Sequence, residues 1–93
     1  MHEARLMRDL MARILQTAQA NGGGRVAGVR VRLGALSHFT PAHFVEHFVD
    51  ESRGTLAESA AVICEMSEDP DDPDALWVRL LSIEMGAVPA APG

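Results

Sequence analysis

The chain has 93 residues, 47% of them hydrophobic, enough for one small domain with a single apolar core and too apolar for disorder throughout. Its net charge is -5 and all eight basic residues are arginine, a balance that disfavours nucleic acid as a partner. One cysteine, Cys64, excludes an internal disulfide and a paired CxxC zinc ribbon, and no apolar run reaches the ~20 residues of a membrane span. With no basic-then-apolar leader either, a reducing cytoplasm is the expected setting.

Met1-His2-Glu3 opens the chain. The terminal amine, the intervening amide nitrogen and the His2 imidazole can close fused chelate rings around one ion. Nitrogens in a plane suit Ni(II) or Cu(II), whereas tetrahedral sites suit zinc. His2 is bulky, so the initiator Met1 is expected to be retained and to keep the amine in register. Residues 4–20 read as an amphipathic helix. Leu6, Leu10, Ile14 and Ala18 make its stripe, widened by Met7, Met11 and Leu15. Gly22-Gly23-Gly24 stops it, and no lysine or P-loop pattern follows to suggest a nucleotide site.

Residues 25–33 alternate as a strand, with Ala27, Val29, Val31 and Leu33 facing one way and Gly28, Arg30 and Arg32 the other. After a turn at 34–37, Thr40-Pro41 starts a second helix that runs to about Arg53, with Gly54 ending it. Phe39 and Phe44 occupy the positions of a hydrophobic staple. His43 and His47 stand one helical turn apart, with His38 just before the helix, so these three form a second candidate metal site. Ordinary polar helix positions are the simpler reading of them.

Residues 58–66 and 76–85 read as two further strands. The third is apolar on both sides near its start, which places it centrally or under the helices. Between them lies the acidic, proline-bearing stretch Ser67 to Asp74, read as a solvated loop. It lacks the central glycine and closing glutamate of a calcium loop. Cys64, among Val62, Ile63 and Met66, reads as an inert thiol. Nothing forms a base–nucleophile or acid–base pair, so an enzyme is not expected. The expectation is an α+β domain of order αβαββ over residues 1–85, with two helices packed on one face of a three-stranded sheet. A loose tail covers 86–93.

With that order in hand, the chain resembles the HypA/HybF nickel metallochaperones. Met1-His2-Glu3 matches the family's amino terminus. The segment Val29 to Ser37 resembles its first strand and turn, where a pattern near V-x-L-x-I-G-x-L-S is usual. Pro41, Gly54-Thr55-Leu56-Ala57 and Ser82-Ile83-Glu84 also fit in order. The family normally inserts a segment with two CxxC pairs between its last two strands; only the acidic loop stands there. The chain therefore looks like the nickel-binding domain alone, and structural zinc is not expected.

The resemblance implies delivery of Ni(II) to an apo-metalloenzyme, typically the large subunit of a [NiFe]-hydrogenase and sometimes urease, with a HypB-like nickel GTPase as partner. His2 would be the principal ligand and Met1 would give its amine. His2 and Glu3 would give backbone amides, and Glu3 would tune the site or contact the partner. The alternative is a HypA-like interaction or assembly module that no longer carries metal.

Overall fold

The computed structural model describes the backbone of residues 2–86 and the side chains of residues 4–86. Five elements follow in the expected order: α1 (His2–Ala20), β1 (Val26–Leu33), α2 (Pro41–Ser52), β2 (Ala61–Met66) and β3 (Val78–Met85). The fold is α+β, with two helices over a three-stranded mixed sheet of order β2-β1-β3.

Periodicity explains α1. Met7, Leu10, Met11, Ile14 and Ala18 are all buried, and Leu6 and Leu15 flank them half-buried. The helix ends where Gly22 and Gly23 take φ of 104° and 74°. There the Gly23 amide donates to the Ala18 carbonyl at 2.8 Å, satisfying an end group of the helix. α2 is started as its sequence demands. Thr40 is extended, its hydroxyl accepts from the His43 amide at 3.2 Å, and Pro41 follows. The Phe39 and Phe44 rings meet edge to face at 5.6 Å, which is the staple. Phe44 and Phe48 then anchor the helix in the core.

β1 is the central strand. It pairs parallel with β2, from Gly28↔Ala61 to Leu33↔Met66, and antiparallel with β3, from Val26↔Met85 to Leu33↔Val78. Of the two places expected for the third strand, the central one is corrected, since β3 lies at an edge, while its position under a helix holds, since β3 packs against α1. Leu76 and Trp77, expected within it, stand exposed in the turn before Val78. The Trp77 amide closes that turn on the Asp74 carbonyl. Sheet pairing to β1 on both sides leaves no central slot for another strand, so the apolar run at 76–77 marks a turn beside α1.

Two smaller corrections concern where the strands begin. A register shift between Val26 and Gly28 makes Ala27 the extra residue of a bulge. Val26 is therefore buried and Ala27 exposed, against the expected alternation, which holds only from Val29 to Leu33. The second strand starts at Ala61, three residues later than expected. Residues 55–60 are turns, tied by the Thr55 amide to Ser52 and the Ala60 amide to Ala57.

The helices cover Val29, Val31 and Leu33. The opposite face carries Arg30 and Arg32, which reach Glu65 on β2 at 3.9 and 3.4 Å. These pairs are half exposed, so they add little stability. Topology also fixes helix direction. α1 joins β1 through a tight glycine turn, so it runs back along the strand. Accordingly Leu6 and Leu10 lie beside Trp77 and Val78, at the end where β1 finishes. α2 begins after that same end and returns to start a parallel β2. Both helices thus begin at one end of the sheet.

Candidate metal centre

Met1 lies outside the described residues, as do the side chains of His2 and Glu3. His2 is the first residue of α1. The backbone of His2 and Glu3 therefore opens a well-packed helix, at the end of the sheet where α2 also starts.

The histidines of α2 are placed in full. His43 and His47 bring their Nε2 atoms to 2.9 Å, with ring centroids 4.6 Å apart. Helical spacing of four puts them on one face, and the Thr40 cap fixes the backbone of the first. Phe39 supports both, its ring centroid lying 5.7 Å from His43 and 6.2 Å from His47. Both imidazoles are half-buried. Phe39 stands before the Thr40 cap and outside the helix, so the staple pattern announces its contact with Phe44 but not its place beside the histidines.

His38 does not complete a triad. It is exposed with φ 65°, and no cluster of three or more His, Cys, Asp or Glu suited to a metal occurs among the described residues. The sequence proximity of 38 to 43 does not carry into space, because the left-handed residue lies outside the helix that aligns the other two.

The acidic loop uses its carboxylates locally. Asp69 Oδ1 accepts from the Asp71 amide at 2.9 Å and Asp72 Oδ1 from the Asp74 amide at 2.8 Å, each closing a turn. Asp74 also pairs with Arg79 at 3.6 Å. Cys64 sits on β2 partly packed against the core, and burial raises its thiol above the ordinary value. Such a thiol keeps its proton near neutral pH and is a poor nucleophile or ligand. The connection between β2 and β3, residues 67–77, contains no cysteine.

The turn after β1 explains the glycine of the Val29–Ser37 pattern. A Cβ at Gly34 would lie 2.2 Å from the Ala75 carbonyl oxygen. The Gly34 amide donates to the Trp77 carbonyl at 3.0 Å, and the Leu36 amide to that of Ala75 at 2.7 Å. This close backbone approach ties the approach to α2 to the segment before β3.

Comparison with known proteins agrees with this architecture. Residues 1–69 match the family model described as HypA, "Hydrogenase/urease nickel incorporation, metallochaperone, hypA". A hydrogenase maturation factor HypA from Rhizobium leguminosarum bv. viciae is 37% identical over 62 residues, which are 67% of this chain and 55% of that one. The factor of the same name from Methanosarcina mazei is 33% identical over 66 residues, 71% of this chain and 48% of that one. The chain thus spans about half the length of the curated relatives it matches. The solution structure of the Ni metallochaperone HypA from Helicobacter pylori superposes with a TM-score of 0.73, covering 89% of this chain and 96% of that one. At 20% identity this likeness shows a shared fold. The family is one of metallochaperones, not catalysts, and by the extent of the sequence match the chain belongs to the HypA family.

Proposed function

We propose that this chain is a cytoplasmic Ni(II) carrier that serves the maturation of a [NiFe]-hydrogenase, or of urease, and that its cargo site is Met1-His2-Glu3. The observation that carries this reading is the residue order Met1-His2-Glu3, in a chain whose family match begins at the same residue. The terminal amine, deprotonated amides and the His2 imidazole would give Ni(II) a strong planar field. A chelate at the terminus would also let the ion leave by stepwise ligand exchange. Glu3 would tune the site or meet the partner, which by family role is a HypB-like nickel GTPase, with an apo-hydrogenase large subunit as recipient.

The cysteine-free connection at 67–77 supports a nickel-binding domain that works without structural zinc. An untagged preparation with Met1 intact is expected to show about one tight Ni(II) binding event per chain by calorimetry, distinct from any weaker uptake elsewhere. His2→Ala, or one extra residue ahead of Met1, should remove that event. Uptake should weaken in acid, since protons compete for the amine and the imidazole. Undiminished stoichiometric binding in both altered chains would refute the terminal site.

A further inference from the structure

We infer that His43 and His47 form a second metal site, a two-imidazole clamp for a divalent ion of the Ni(II) class. It lies at the end of the sheet where α1 also begins, and its ligands are distinct from those of the terminal chelate.

The spacing of the two nitrogens is compatible with a divalent ion. Metal–imidazole bonds run to about 2.0–2.1 Å. Two such bonds at a right angle hold their nitrogens about 2.8–3.0 Å apart, and at a tetrahedral angle about 3.3–3.4 Å. The Nε2 separation is 2.9 Å. That distance is the length of a hydrogen bond between the rings, and it lies close to the spacing of two ligands on one divalent ion, so a modest turn of the rings would let both Nε2 atoms face the same ion. Water would supply the remaining positions. Occupation needs both rings to carry their proton on Nδ1, so the ring that now donates from Nε2 must shift its proton to the other nitrogen.

Preorganisation comes from three sources. The helix fixes the spacing, the Thr40 cap fixes the backbone at His43, and the Phe39 ring lies beside both imidazoles. Opposing this, the first turns of α2 lie at the positive end of its dipole, and no acidic residue occupies its first turn. The clamp is therefore weaker than the same pair would be at a helix C-terminus. A site of that kind suits transit, not storage.

The test uses the full chain with its amino terminus acetylated, which removes the terminal chelate. Ni(II) is added in steps while the imidazole resonances of the histidines are followed by NMR. The expected result is joint broadening of His43 and His47 at Ni(II) levels that leave exposed His38 unchanged. His47→Gln should weaken the response of His43 by about tenfold or more, with the unfolding temperature of the apo protein as the check on folding. A response of the pair no stronger than that of His38 would overturn the inference, and this arm needs no variant. An unaltered His43 response in folded His47→Gln would overturn it equally. Neither outcome bears on the terminal site, which the unblocked chain reports separately.

Discussion

The two histidine-bearing regions would reach metal chemistry by opposite routes. At Met1-His2-Glu3 the ligands are neighbours in the covalent chain, so chelation needs only a free amine and the right order of residues. At His43 and His47 the ligands are separated by a helical turn, and they converge only because α2 is folded, capped and backed by Phe39. The first should survive unfolding; the second should vanish with it. A carrier with both kinds would combine a terminal site that yields to distortion with a helical one of fixed shape.

Phe44→Ala should break that comparison most sharply. Phe44 is fully buried and joins the core to the staple. Its truncation should cost about 3–5 kcal/mol, much of the 5–15 kcal/mol on the order of which small domains live. Thermal or denaturant unfolding would measure the loss. With the domain partly unfolded, Ni(II) uptake at the helical pair should fall, while uptake at the terminal amine persists. Loss of both together would show that the terminal site also depends on tertiary structure.

Gly34→Ala comes next. The new methyl would collide with the backbone at Ala75, not with a flexible side chain, so relief requires the turn or the segment before β3 to move. A cost of about 1–3 kcal/mol is expected, read as a lowered denaturant midpoint. Because Gly34 ties the approach to α2 to the segment before β3, this change should loosen the end of the sheet where both helices begin.

Much of this was legible from residue pattern. The five elements, the α1 stripe, the Thr40-Pro41 start and the staple followed from periodicity and capping, which are local. What escaped was non-local. Val26 and Ala27 exchanged places because of a bulge set by pairing with β3. Trp77 was taken for a buried strand residue because apolar character marks burial only when an element is there to cover it. β1 became central because the chain returns to it from both sides. Spacing of four brings His43 and His47 together, whereas His38, near them in sequence, stands apart in space. Its left-handed backbone, which no pattern announced, sets it apart. The reading of Met1, His2 and Glu3 rests on their order in the chain, and only solution chemistry tests it.

Thr40→Ala sharpens the contrast with the smallest perturbation. The Thr40 hydroxyl accepts one hydrogen bond, from the His43 amide, and its removal leaves that amide without its cap. Caps of this kind contribute about 1 kcal/mol, so the domain should stay folded and its melting temperature should drop by several degrees, on the order expected for a chain of this size. The damage should be confined to the first turn of α2, where Pro41 still favours the helix but His43 is freer to fray. A clamp that depends on alignment one turn apart loses affinity when its first ligand wanders, even though both imidazoles remain. Amide hydrogen exchange at residues 43–45 should therefore quicken. The Ni(II) response of the amine-blocked chain should weaken in step, and the response of the unblocked terminus should stay the same. If exchange quickens and the pair binds as before, the imidazoles are aligned by Phe39 and their own contact, and the cap contributes only to helix stability.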